Sequence, residues 1–292
     1  MRTMLFALIL FTVPLRGQST SDSLLFGVDR KQLLTYTLVT YTAASLYVEY
    51  EWWWRGNLQP FKYGNDGLWD NYSLGVDKAG HFYTSYFYFH SMYELMEWGG
   101  FEPSTTLWTS IAIPTLYALS IELYDGHTYF SFSGYDLAAN MLGIGAGVLQ
   151  RTYPALNAVK FKWSYYPSGI IPLDEKFIIA NDYDGHIYWM SVDVNRFLPA
   201  SVEQYWPDLL NIAVGYGARN VSQRSARLGA ILPPGPRGRK FVIGLDYDLG
   251  SLQMEQGLGS ALRTIVDMFR YPAPAVRMVS GKPAEFVPLL IH

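Results

Sequence analysis

The sequence predicts a mainly α protein: a four-helix, up-and-down, membrane-associated bundle over residues 29–153, followed by a small α+β region over 160–292. Three observations carry that prediction. Hydrophobic residues make up 50% of the 292 positions and charged residues only 16%, below the ordinary charged share of about 25%. Four apolar stretches of helix length follow one another in the first half, each comparable with the ~20 residues that cross a bilayer. Tyr and Trp are abundant, 23 and 9 of them, and rings with one wet end and one greasy end suit a membrane interface.

The N-terminus reads as an export signal over residues 1–17. Arg2 precedes the apolar run Leu5 to Val13, and Pro14, Gly17 and a Ser/Thr-rich stretch follow. Nine or ten apolar residues are too few to span a bilayer needing about 20, so an uncleaved anchor is the poorer reading.

The four helices are expected over Gln32 to Trp54, Lys78 to Trp98, Thr105 to Tyr124 and Tyr135 to Tyr153. Breakers separate them: Asn57 to Gly75 is rich in Gly, Asn and Asp; Gly99-Gly100-Phe101-Glu102-Pro103 forms a turn; Asp125-Gly126 opens another. Trp52, Trp53, Trp54 and Trp98 at helix ends, and the small-xxx-small pair Gly143 and Gly147, favour a membrane setting over a soluble bundle. Arg30, Lys31, Arg151, Lys160 and Lys162 leave the topology open.

Past residue 160 the period changes. Phe241, Ile243, Leu245, Tyr247 and Leu249 alternate with Val242, Gly244, Asp246 and Asp248, the pattern of a strand with one face buried, and His186 to Val194 is also strand-like. Val202, Trp206, Leu209, Leu210 and Ala213 fit one helix face, as do Leu258, Leu262, Ile265, Val266 and Phe269. Pro233 to Arg239 reads as an exposed loop. An outer-membrane barrel needs at least about eight strands of about ten residues, more than these runs supply.

Composition removes whole classes of function. A net charge of −3 without any Lys/Arg run offers no footprint for nucleic acid. The absence of Cys removes disulfides, thiolate metal ligands, a cysteine nucleophile and the residue that carries a bacterial lipid anchor.

If the helices alternate up and down, the polar residues gather at one end of the bundle. Glu49 and Glu51 close the first helix; Asp77, Lys78 and His81 open the second; Glu122 and Asp125 close the third; Asp136 and Asn140 open the fourth. Asp77 and His81 are one turn apart on one face, as are Asp136 and Asn140. Asp77 and Asp136 also suit helix caps, worth typically ~1 kcal/mol without any function. As a site, a carboxylate beside His81 makes a base and its orienter. Alternatively, His81 with Asp77, Glu122 or Asp136 could hold a divalent metal such as Zn²⁺. The residues themselves call for no cofactor. No HExxH, GxSxG, P-loop or dinucleotide fingerprint accompanies them. His127 reads as a solvent-facing loop residue and His90 as a packed one.

Asp77-Lys78-Ala79-Gly80-His81-Phe82, then Glu122-Leu123-Tyr124-Asp125, then Ser131-Phe132-Ser133 with Asp136 and Gly143, resemble the YfiM-like predicted periplasmic lipoprotein family over about residues 70–152. Asp77-Lys78-x-x-His81 and Asp136-x-x-x-Asn140-x-x-Gly143 are more remotely similar to VanZ-like membrane proteins. The resemblance implies an envelope location and compact hydrophobic helices, and it brings no reaction, substrate or catalytic residue. The chain departs from the lipoprotein label in having no Cys, so its helices or its later region must hold it at the membrane.

The expectation is therefore an exported bacterial cell-envelope protein at the inner or outer membrane, with membrane lipid and other envelope proteins as partners. Two alternatives stand beside it: a metal- or His/carboxylate-dependent hydrolase acting on a lipid or peptidoglycan precursor, and an accessory subunit of an outer-membrane assembly.

Overall fold

A computed structural model describes residues 24–25, 27–173, 178–222, 235–254 and 257–290. The expected export signal and Pro233-Pro234 lie outside the described residues. The helices are α1 (Arg30–Glu49), α2 (Val76–Trp98), α3 (Pro103–Asp125), α4 (Gly134–Thr152), α5 (Ile178–Asn181), α6 (Ala200–Glu203) and α7 (Leu258–Asp267). The short strands are β1 (Leu24–Leu25), β2 (Val28–Asp29), β3 (Tyr63–Gly64) and β4 (Phe132–Ser133). The longer ones are β5 (Val159–Tyr165), β6 (His186–Val192), β7 (Leu210–Arg219), β8 (Gly238–Tyr247), β9 (Ala273–Val279) and β10 (Glu285–Leu290).

This architecture corrects the mainly α membrane bundle. Strands β5 to β10 form a six-stranded antiparallel meander in chain order, and no described helix is long and apolar enough to cross a membrane. The physical reason lies in the helices' own polar positions: α2 carries Asp77, Lys78, His81, His90, Glu94 and Glu97, and α3 turns Thr106, Ser110 and Glu122 inward. Two of the aromatic residues that suggested an interface, Trp54 and Trp98, serve packing instead. Trp54, at the end of the π-helical turn Tyr50–Trp54, is buried and stacks on Tyr124 at 4.2 Å. Trp98 lies under the Arg30 guanidinium.

Three helices, α2, α3 and α4, pack tightly on one another, whereas α1 attaches mainly through its ends. Leu34 is buried near Gly99, Glu49 accepts a hydrogen bond from the Tyr117 hydroxyl of α3, and Tyr36, Tyr41 and Tyr47 along its middle are exposed. Helices α2 and α4 approach most closely because Gly143 and Gly147 face α2. A Cβ on Gly143 would sit 2.1 Å from the Phe82 carbonyl oxygen, and one on Gly147 would sit 2.3 Å from the Phe89 ring. The small-xxx-small spacing thus fits two helices inside a mixed α/β fold.

Helix α2 is the shared wall between helices and sheet. Phe161 of β5 meets Phe82 and Tyr86 edge-on, Tyr83 donates its hydroxyl to the Met268 carbonyl at 2.9 Å, and Tyr188 of β6 reaches Gly80. On its other face the sheet curls, so that Trp189 of β6 and Leu290 of β10 share one cluster with Ile187, Ala213, Val242 and Ala275. Arg270 closes that cluster. Its guanidinium lies 4.0 Å from the Trp189 ring centre and donates to the carbonyls of Leu290 and Leu245.

Two readings of the second half need correction. Leu210 and Ala213 belong to strand β7, so the helix expected around them is limited to the four residues of α6. Strand β8 falls in the expected place, but it buries Lys240, Val242 and Asp246 and leaves Phe241 and Ile243 exposed. Of the inward polar positions, Lys240 donates to the Asp184 carbonyl at 2.6 Å and Asp246 faces ion pairs. Lys162, fully buried, reaches Asp246 and Asp267 at 2.9 Å each, and Lys160 reaches Asp267 at 2.6 Å.

The Gly143 contact is testable. Gly143→Ala must push two helix backbones apart and should cost on the order of 1–3 kcal/mol, read as a melting point lower by several degrees. Gly145, where a Cβ would find nothing within 4 Å, is the internal control. Gly145→Ala should hold or raise the melting point, since Ala is the better helix former.

Candidate functional site

The end of the bundle where α2 and α4 begin is built by loop chemistry that frees its acids from capping. Asn71 Oδ1 accepts from the backbone N–H groups of Ser73 and Gly75 and from the Ser73 hydroxyl, and Ser73 Oγ accepts from the Asp77 N–H at 3.1 Å. Gly75 takes a left-handed φ of 85°, which a residue without Cβ adopts at little cost. On α4, Ser133 is the N-cap: its Oγ accepts from the Asp136 N–H at 3.2 Å and donates to Asp66 at 3.0 Å. Capping therefore falls to Ser133 and to the Asn71–Ser73 turn. The carboxylates of Asp77 and Asp136 are left to face Lys78 and His81.

Lys78 is the centre. Its ammonium lies 2.9 Å from Asp77 Oδ2 and 2.6 Å from Asp136 Oδ1, and it also donates to Asp66. Asp66 is delivered by the β3–β4 pairing, in which Gly64 stands opposite Ser133. Around this core His81 Nε2 lies 3.6 Å from Asp136 Oδ1 and 3.8 Å from Asp77 Oδ1, while Nδ1 lies 3.9 Å from Glu122 Oε1. Asn140 Nδ2 is 3.2 Å from His81 Nδ1, and its Oδ1 accepts from Ser85. Glu122 is anchored from the far side by the Ser133 N–H at 3.1 Å. The His81 side chain keeps 24% of its surface exposed, against 11% for Asp77 and Asp136 and 2% for Glu122.

Six of the nine polar residues expected at this end of the bundle thus meet in one cluster: Asp77, Lys78, His81, Glu122, Asp136 and Asn140. Asp125 stands one turn beyond Glu122 and accepts from the Trp54 indole at 3.2 Å. Glu49 goes to Tyr117, and Glu51 pairs with Arg55 at the surface. His90 is buried and bonded to Gln150, and His127 lies in an exposed loop against Phe61. Sequence reasoning misses three participants. Asp66 sits in an Asn-Asp-Gly stretch that reads as ordinary turn chemistry, and Tyr72 and Tyr183 look like two more of many tyrosines. Tyr183, from beyond the helices, donates to Asp77 Oδ1 at 3.1 Å and bonds Tyr72 at 3.1 Å.

Burial and charge set the protonation states. Burial alone would push Asp77 up, but His81 and Lys78 outweigh it and hold it below its ordinary value. Burial works against a charged His81, and the carboxylates of Asp77, Asp136 and Glu122 overcome that and raise it. Glu122 is pushed up to about 8, chiefly by burial, with His81 pulling the other way. Asp136 is likewise raised by burial, against the pull of His81 and Lys78.

One ligand atom each from Asp77, His81 and Asp136 lies within 4.8 Å of the others, close enough for a divalent ion. Lys78 already supplies positive charge to both of those carboxylates, so an ion would compete with an ammonium group. A cleft of about 640 Å³ lies toward the other ends of α2 and α4, lined by His90, Glu94, Gln150, Arg151, Lys160 and Asp248 among others. None of the cluster residues lines it.

Residues 67–152 match the model of a family described as "Predicted periplasmic lipoprotein (DUF2279)". That span holds every member of the cluster except Asp66 and Tyr183, and its description carries a cell-envelope setting and no reaction. No curated protein and no solved structure matches the chain.

These states fix a pH dependence. Glu122 (about 8), Asp125 (about 7) and Glu49 (about 7), all raised chiefly by burial, keep protons in the fold that the unfolded chain releases in the ordinary carboxylate range. Stability therefore falls as pH rises through that window, and His81, also raised, adds to the fall above its ordinary value. His90 and His186, lowered by burial to about 3 and about 4, act oppositely, costing stability as pH drops below about 6.5. Between about pH 6.5 and 8 only the downward trend survives, since Lys240, lowered by burial to about 8, acts the other way only above that. The melting temperature should decline between about pH 6.5 and 8, and Glu122→Gln should flatten that decline; an unchanged slope in the variant would mean Glu122 is ionised throughout.

Proposed function

We propose that this is an exported cell-envelope protein whose Asp77–His81–Glu122–Asp136 cluster is an acid–base site, with His81 as the group that meets the ligand. The observation that supports the reading is positional: the one imidazole in the cluster has three carboxylates within 3.6–3.9 Å and is more exposed than any of them. Carboxylates behind an imidazole orient it and stabilise its protonated form, which is what proton transfer to or from a hydroxyl or ester oxygen requires. Lys78 fixes Asp77 and Asp136 in place and keeps their charge compensated. Hydrolysis of a lipid or peptidoglycan precursor is the reaction class this suits. Asn140, bonded to Ser85 and close to Nδ1, holds the ring's orientation.

A metal-dependent version has one observation in its favour, the close approach of ligand atoms from Asp77, His81 and Asp136. Metal analysis separates the two. Stoichiometric Zn²⁺ in the purified protein, lost in His81→Ala, would replace the acid–base reading with the metal one.

The acid–base reading predicts that His81→Ala and Asp136→Asn each abolish function in a complementation assay at unchanged protein level. The double variant should be no worse than either single one, because residues of one network do not act additively. Lys78→Met, by contrast, strands three acids and should lower protein abundance itself. Losses from His81→Ala that track falling protein level would leave the cluster with a structural role only.

A further inference from the structure

We infer that the outer face of strands β6 to β10 is a lipid-contacting surface. Met190, Val214, Ile243 and Val276 stand partner to partner across four adjacent strands, and Phe286 continues the row on β10. All five are exposed, by 40–65%. A second row, Phe241 and Met278, runs beside them next to Tyr216. The opposite face of the same strands is mixed: it buries the apolar cluster of Ile187, Trp189, Ala213, Val242, Ala275 and Leu290 together with Ser191, Asn211, Lys240 and Asp246, Asp246 against Lys162 at 2.9 Å.

A sheet with one face in water turns its apolar residues to the core and its charges outward. Here the buried face carries charged groups beside its apolar cluster, while Met, Val, Ile and Phe also stand in rows on the exposed face, and exposed apolar rows across adjacent strands are the arrangement strands take where their outer medium is hydrocarbon. The edge of the band supports the same occupant. Tyr216 stacks on Trp69 at 5.0 Å, and the Arg239 guanidinium lies 4.8 Å over the Trp69 ring. An aromatic pair with an arginine is the composition found where apolar surface gives way to the headgroup layer. This surface lies on the sheet and owes nothing to the chemistry assigned to His81, so either can fail without the other.

The test is flotation of the purified full-length protein with vesicles of phosphatidylethanolamine and phosphatidylglycerol. Wild type should float, and Ile243→Asp/Val276→Asp should lower the floated fraction at least about tenfold. Val214→Thr/Ile243→Thr, which keeps β-branched side chains, should lower it less while melting like wild type, so a loss of fold is distinguished from a loss of lipid contact. Tyr205→Ser, at an 81% exposed position outside the strands, should float unchanged. Failure of wild type to float, or equal flotation of wild type and Ile243→Asp/Val276→Asp, overturns the inference. So does a wild-type dimer in lipid-free buffer that the Asp variant splits, since a second copy would then be the occupant.

Discussion

The ammonium group of Lys78 is the point on which the acid cluster at the start of α2 and α4 depends. It draws together a loop acid, Asp66, a first-turn acid of α2, Asp77, and a first-turn acid of α4, Asp136. Without a cation there, three carboxylates would share one buried volume, and charge repulsion at low dielectric would force them to protonate or separate. With it, Asp77 and Asp136 remain close enough to flank His81. Everything else at that end serves the placement: Ser133 and Asn71 take over the capping, β3 pairs with β4 to bring Asp66 in, and Tyr183 ties Asp77 to the strand layer.

Much of this was legible in the sequence, and for a reason. Helix periodicity and breakers located all four long helices, and an up-and-down chain path necessarily returns the start of α2 and α4 to the end of α3. The (i, i+4) spacing of Asp77 with His81 then sets both side chains on one face. What could not be read was which residues would cap. Asp77 and Asp136 look like caps because acids suit helix N-termini, and only the positions of Asn71, Ser73 and Ser133 show that the caps are already provided. Asp66 was hidden for the same reason, since an Asn-Asp-Gly stretch explains itself as a turn.

The sheet was harder. Pattern reasoning assumes that the apolar half of an alternating strand is the buried half, and β8 reverses that by burying Lys240 and Asp246. The same inversion hid β7, whose Ile212 and Val214 face outward and whose Asn211 faces in, leaving a helical reading to compete on equal terms. Lys160 and Lys162, counted in the sequence only as charges bearing on topology, neutralise Asp246, Asp248 and Asp267 within the fold.

The meander order of the sheet has a kinetic consequence. Each of the strands β5 to β10 pairs with its neighbour in the chain, so every pairing in the sheet is more local than the contacts that tie the sheet to the helices, although only β9 and β10 are joined by a tight turn. The bonds that fasten α2 to the second half are of another kind: Tyr183 to Asp77 spans 106 residues and Tyr83 to Met268 spans 185. Contacts of high sequence separation carry the larger loop-closure entropy and form last unless something else has already brought their partners near. Docking of α2 on the sheet therefore carries the larger loop-closure cost, and the same contact both completes the core and brings Tyr183 to the acid cluster.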